Sequence, residues 1–568
     1  MTVIKYILFL VFILTASALF SQSKNLDSII KGYEDHKGYD RNEYPLGLYT
    51  KAYYQNEALF AESLLNKLSK IKTSRLSDTE KISLELLQFT LQETIDHFNF
   101  KAYLNPLLSD SGFHLSLSYH VRSINTLGDA DFYLHKLKHI PTYVEQHIDL
   151  LRKGLKAGIS QPKIIFKGYE STYNSQIVDN PEDSYFFSPF KKLPNSISKA
   201  QQDSLIKVAK KSIRTNVIPA FKKVKTFFEK EYLPHTKTSI AVSEIPNGKA
   251  YYQNRLNYYT TLDLTAKEIH EIGLKEVKRI NAGMQKIVDE VNLNGNLQEF
   301  IHFLRTDKQF YAQTGEELLK EARDIAKRID AKLPAFFKTL PRRPYGVAKV
   351  PDAIAPKYTT GRYISPSNDT QPGYYWVNTY NLSNRPLYVL PSLTAHEAVP
   401  GHHLQGSLNS ELGDSIPRFR RNLYLSAYGE GWGLYSEHLA EDMGIYRTPY
   451  ERFGKLTYEQ WRACRLVVDT GIHAMNWTRQ QAVDYFVENT ALSIHNINTE
   501  VDRYISWPGQ AVSYKIGEIK IRELRKEAEE TLKDKFDIRE FHGVILEQGV
   551  VTLPILEKLV KVYIERNK

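Results

Sequence analysis

Apolar residues recurring at intervals of three and four run through most of this 568-residue chain, and that spacing commits it to a mostly α-helical fold. Between 198 and 231, Leu205, Val208, Ala209, Ile213, Val217, Ala220, Phe221, Val224 and Phe227 fall on one helical face. Ser77-Asp78-Thr79-Glu80 opens a second periodic run that reaches Ile95, with an N-cap at its start. Residues 264–291 and 315–340 repeat the style. The texture changes at Pro341. Three β-prone runs, 345–350, 357–364 and 373–379, are separated by turn residues and predict a small antiparallel sheet. Helical text resumes near Ser392, a candidate N-cap, and continues almost to Lys568. The length exceeds what one simple core organises. The expected architecture is a two-lobed, multi-helix fold with a small antiparallel sheet beside one unusual helix. It divides into a leader (1–21), an N-terminal helical region (22–340) and a region holding the sheet, that helix and the C-terminal helices (341–568).

The leader ends its charged part at Lys5, is nearly all apolar over 6–20, and has small residues at Ala16, Ser17 and Ala18. This pattern predicts a secretory signal peptide cleaved near 18–22. A bilayer span needs about 20 residues, more than this run offers. The expectation is therefore an exported protein, periplasmic or secreted, with no membrane attachment after cleavage. No cysteine lies near the leader to carry a lipid. The one cysteine, Cys464, excludes an internal disulfide and a cysteine-based zinc site within the chain. The formal charge of +10 comes from Lys and Arg scattered along the chain, which argues against a nucleic-acid partner.

One segment concentrates ligand chemistry: His396-Glu397-Ala398-Val399-Pro400-Gly401-His402-His403. Zinc takes imidazole nitrogen and carboxylate oxygen, and catalytic zinc sites use three protein ligands. A neighbouring carboxylate, here Glu397, can then move the proton of a water. The common short motif sets two His four residues apart on one helical face. Here the fourth residue on is Pro400. On a straight helix His403 returns near the angle of His396 but about 10.5 Å along the axis, and His402 points elsewhere. Pro400-Gly401 predicts a distortion, since proline removes a donor and clashes with the preceding turn. A local bulge there would bring His402 to the place of the usual second ligand, with His403 the alternative. The third ligand is expected from a following helix. Glu430, within Tyr428-Gly429-Glu430-Gly431-Trp432-Gly433, fits that role, and Glu437 two turns on can orient a ligand from behind.

The same segment, with Leu404-Gln405 after it, resembles the hallmark of a bacterial family known only as domain of unknown function 885. Glu430 to Glu437, Arg465 to His473, Glu500 to Tyr504 with Pro508 to Gly517, and Phe541-His542 are similar to its later blocks, in order. The resemblance covers nearly the whole mature chain. It implies kinship with zinc metallopeptidases whose third ligand is a glutamate, and it favours His402 over His403 as a ligand.

The expected activity is that of a zinc-dependent hydrolase, a peptidase or carboxypeptidase acting on short peptides. One zinc ion is held by His396, His402 and Glu430, with Glu397 as general base. Tyr514 and Tyr504 are candidate phenols and His473 a candidate imidazole for oxyanion stabilisation. Arg503 and Arg465 can pair with a substrate carboxylate. The run 373–379 can accept an extended peptide along a sheet edge. Two alternatives remain open: a metal-free protein that binds peptides or cell-wall fragments, and a metal hydrolase of another amide or ester. Oligomeric state has no signature in the sequence.

Overall fold

The structure is a computed structural model and describes residues 23–291, 295–352, 354–366 and 371–568. The leader (1–21) lies outside the described residues. Two compact units emerge. One holds the chain up to Lys72, Leu87–Tyr251 and Ile505–Trp507, and the other holds Thr73–Leu86, Tyr252–Tyr504 and Pro508–Lys568. The change of texture at Pro341 falls inside the second unit.

The fold is mostly α, as the periodicity requires. In the first unit, α1 (Lys51–Leu68) and α2 (Leu127–Lys156) are long helices with side-chain caps. Thr126 and Asp129 close a reciprocal capping box on α2, satisfying two backbone donors that the helix itself leaves open. The run read from 198 onward is α3 (Lys199–Ser212), opened by the Ser198/Gln201 box, and it continues helically through Ile218–Phe227. Its buried face is the predicted one except at Val208, which is exposed. Two π-helical segments, Ile213–Val217 and Phe228–Tyr232, interrupt the α-helical run, and a strict 3.6-residue projection does not anticipate them.

In the second unit, α4 (Ala266–Glu290) packs along the long helix Pro449–Ala474. Following α5 (Gly315–Asp330) come three strands: β1 (Tyr345–Lys349), β2 (Gly361–Ile364) and β3 (Gly373–Val377). The strands lie in the three predicted runs, but the sheet is mixed. The order is β1-β3-β2, with β1 parallel and β2 antiparallel to β3. β3 is therefore the central strand, covered on both edges. That removes it as the edge for an added peptide, and β2 presents an outer edge instead. The alternation of residues could not reveal this, because strand order is a tertiary property.

After the sheet come α6 (Leu390–Glu397), α7 (His402–Ser410), α8 (Ser426–Asp442), α9 (Pro449–Ala474) and α10 (Ile494–Ser506). The helix α11 (Ser513–Leu532) packs along α8. Lys515 ties this layer together. Its fully buried ammonium lies 2.8 Å from Glu459 Oε1, 2.8 Å from Glu518 Oε2 and 3.0 Å from Glu276 Oε2. One cation thus bridges α4, α9 and α11, and a buried charge is tolerable only when paired in this way.

Candidate metal centre

The motif helix α6 starts earlier than Ser392. Val389 is its N-cap and Pro391 sits in its first turn, where proline's fixed φ suits a helix start. Ser392 lies within the helix, its hydroxyl 3.0 Å from that of Tyr446. The helix stops after Glu397, because Ala398 leaves the helical region at φ −95° and ψ −113°. The distortion is a break and restart, not a bulge within one helix. The Gly401 N–H donates to Ala395 O at 2.9 Å, and α7 begins at His402. A Cβ on Gly401 would overlap the carbonyl of His396, so the restart needs glycine. Trp432 on α8 pins the turn from below, donating its indole N–H to Pro400 O at 2.8 Å.

This break carries His402 back toward His396. Their rings meet edge to face, with centroids 4.7 Å apart. Glu430 on α8 completes the group: its Oε2 is 3.5 Å from His396 Nε2 and 3.4 Å from His402 Nε2. The three ligand atoms lie within 4.8 Å of one another, and no other such group of His, Cys, Asp or Glu occurs among the described residues. The helix α8 can approach so closely because position 433 has no side chain. A Cβ on Gly433 would sit 2.7 Å from His396 Cε1 and 2.8 Å from its Nε2.

The donor set fits zinc. Ligand atoms about 2.0–2.2 Å from a tetrahedral ion stand about 3.3–3.5 Å apart, which matches the spacings of Glu430 to both imidazoles. Those spacings are long for hydrogen bonds. His396 is oriented for the role: its Nδ1 donates to Glu437 Oε1 at 2.8 Å, leaving Nε2 facing the group. Arg462 on α9 supports that carboxylate, with Nη2 3.2 Å from Glu437 Oε1. The second oxygen of Glu430 accepts from the Tyr424 hydroxyl at 2.8 Å. Without an ion, burial disfavours a charged His396, but Glu430, Glu437 and Glu397 outweigh it and raise its pKa to about 10. Burial likewise pushes Glu430 up, and the two imidazoles overcome this and hold it well below the usual carboxylate range.

Glu397 ends α6 beside His396. Its Oε2 accepts the Tyr363 N–H of β2 at 2.7 Å, so the outer edge of the sheet fixes this carboxylate, and Oε1 has no hydrogen-bond partner among the described residues. His403 faces away from the group. Its Nε2 donates to Arg343 O at 3.0 Å, and its Nδ1 faces the hydroxyls of Tyr363 at 3.2 Å and Ser407 at 3.3 Å. Burial lowers its pKa to about 4, so it is a neutral packing residue.

The predicted oxyanion groups are placed unevenly. Tyr504 is buried, and its hydroxyl is saturated: it donates to Glu500 Oε2 at 2.7 Å and accepts from Arg465 Nε at 2.9 Å and Trp461 Nε1 at 3.0 Å. His473 is also buried, with its Nε2 donating to Tyr504 O at 2.9 Å. Both are engaged in the packing of α9 against α10, which corrects their assignment as groups that meet a substrate. Tyr514 is partly exposed and interacts electrostatically with Tyr424, which touches Glu430. Arg465 and Arg503 share Glu500, at 3.2 Å and 3.4 Å. The residues that sequence reasoning missed are Tyr363, Tyr424, Arg462 and Gly433. Only Gly433 left a trace, as the third glycine of an alternating series inside a helix.

Comparisons with known proteins agree with this architecture. The chain matches the family described as "Bacterial protein of unknown function (DUF885)" over residues 33–560. No curated protein matches it. A candidate lipoprotein from Colwellia psychrerythraea is 28% identical, with a TM-score of 0.87 over 96% of this chain and 97% of that one. A candidate lipoprotein of unknown function from Shewanella oneidensis is 18% identical, with a TM-score of 0.65 over 96% of this chain and 99% of that one, and shares the fold.

Proposed function

The chain belongs to this bacterial family of unknown function, and for this member we propose an exported zinc-dependent hydrolase that cleaves peptides. The observation that supports the reading is the convergence of His396, His402 and Glu430 with ligand spacing, beside the partly free carboxylate of Glu397. Zinc held there would supply a Lewis acid that polarises a carbonyl and acidifies a water. Glu397 would take a proton from the attacking water through Oε1 and pass it to the leaving amine, so that water adds across the amide and the carboxylate is restored. Glu437, backed by Arg462, keeps the His396 ring in the tautomer with Nε2 unprotonated. Tyr424 holds Glu430 by one oxygen and leaves the other for the ion.

Export rests on the leader pattern and on the kind of protein the two structural relatives are said to be. No described helix is long and apolar enough to cross a membrane. Cys464 is buried within α9 and offers no lipid attachment.

Metal content of the purified full chain, and its hydrolysis of a mixed peptide library with and without chelator, test the proposal. Stoichiometric zinc and chelator-sensitive cleavage are expected. Glu397→Gln should lower the rate about 10²- to 10⁴-fold while zinc remains bound. Wild-type rates in that variant would remove Glu397 from the mechanism. Peptide binding without zinc or cleavage would instead identify a metal-free binding protein.

A further inference from the structure

Arg462 and Arg465 stand one turn apart on α9, and the first of them touches the carboxylate that orients His396. The second therefore begins a basic patch within a helical turn of the ligand group's support. Its guanidinium is enclosed, with the residue 2% exposed. Nε donates to Tyr504 at 2.9 Å, Nη2 lies 3.2 Å from Glu500 Oε2, and Nη1 is buried without any hydrogen-bond partner. Aromatic rings wall the group, with Trp461 and Tyr514 each 4.4 Å from its centre. Arg503 on α10 adds a second guanidinium, 3.4 Å from the same Glu500 oxygen, 2.6 Å from Gln510 Oε1 and hydrogen-bonded to Tyr514.

Two arginines thus share one carboxylate, and a third, Arg462, acts on it electrostatically. A buried donor without a protein partner is costly, and a ligand oxygen can satisfy it. The patch also reaches solvent: the side chains of Arg503 and Glu500 are 16% and 17% exposed. Surplus positive charge, a planar donor left over and aromatic walls, with Arg503 and Glu500 at the solvent side, suit a carboxylate attached to an apolar or amide-bearing body.

We infer that Arg465 and Arg503, walled by Tyr514, form the subsite for the C-terminal α-carboxylate of a short peptide, so that cleavage is confined to bonds near the C-terminus. This rests on the peptide-hydrolase reading above and narrows its substrate class. Tyr514 is then a wall and hydrogen-bonding partner of the terminal residue, and Glu500 positions both guanidinia.

Binding separates this inference from the activity. The full-chain Glu397→Gln protein is titrated by calorimetry with a tetrapeptide ending in Ala as the free acid, the same peptide as its C-terminal amide, and an amidated peptide ending in Glu. The acid is expected to bind at least ten-fold more tightly than either amide. Adding Arg503→Gln, at a position 16% exposed, should bring the acid down to the affinity of the amide, and Arg503→Lys should restore part of the difference. Equal binding of acid and amide overturns the subsite, and so does binding of none of the three. Tight binding of the Glu-ended amide overturns the assignment to the α-carboxylate. Parallel hydrolysis by the unmodified protein keeps the two readings apart. An acid preference in binding without cleavage by the wild type sinks the hydrolase alone, whereas equal cleavage of acid and amide sinks the subsite alone.

Discussion

Gly433→Ala inverts the usual effect of a glycine-to-alanine change, and the inversion can be worked out from one contact. Within a helix the change ordinarily stabilises by about 0.5–1 kcal/mol, because alanine loses less backbone entropy. Here the new Cβ would stand 2.7 Å from His396 Cε1, where an ordinary contact begins at 3.4 Å. The imidazole must retreat by about 0.7 Å, and ligand distances tolerate only about 0.2 Å before zinc affinity suffers. Retreat is opposed by Glu437 at 2.8 Å on one side and the His402 ring on the other. Overpacking of this kind costs about 1–3 kcal/mol. The apo variant should therefore be no more stable than wild type, or up to about 2 kcal/mol less stable, with zinc affinity lowered about 10- to 100-fold. Competition with a chromophoric chelator reads the affinity, and urea unfolding followed by circular dichroism reads the stability. In a His396→Ala background the clash disappears, and the same change should stabilise by about 0.5–1 kcal/mol. Wild-type zinc affinity in Gly433→Ala, or the same stability change in both backgrounds, would refute the claim that the bare backbone of α8 sets the position of His396.

Other expectations can be checked separately. Glu437→Gln removes the charge that orients His396 and should weaken zinc binding about 10-fold, measured by the same competition, with a smaller effect on folding. Arg420 is buried, with Nη1 3.1 Å from Ser83 Oγ and Nη2 2.6 Å from Gln548 O. Arg420→Met leaves those acceptors unsatisfied and should cost about 2–4 kcal/mol in urea unfolding, without changing metal affinity. In the first unit, burial lowers the pKa of His147 to about 3, with His114 adding to the shift, and neither ring nitrogen of His147 has a hydrogen-bond partner. The unfolded chain takes up a proton below about pH 6.5 that the folded ring refuses, so stability falls from there toward pH 3 by about 1.4 kcal/mol per pH unit. His147→Phe should remove that increment from the acid limb of the stability–pH curve. An unchanged slope would mean that His147 is protonated in the fold.

Local patterning was enough for the helices, the positions of the three strands and the cluster of ligand-type residues, because each depends on neighbours within a few positions. The pairing of His402 with His396 was also legible, since Pro400-Gly401 leaves a straight helix no continuation. Contacts between distant segments carried the rest. Strand order made β3 central and handed the edge, and the fixing of Glu397, to β2. The packing of α9 against α10 enclosed Tyr504 and His473, which look like free catalytic groups when read singly. Tyr424 is one tyrosine among 37, and only the folded chain puts its hydroxyl on Glu430. Residue chemistry and short-range periodicity are encoded position by position. Which side chain is left with an unshared donor or a free oxygen depends on every neighbour at once, and that is settled only when the layers close.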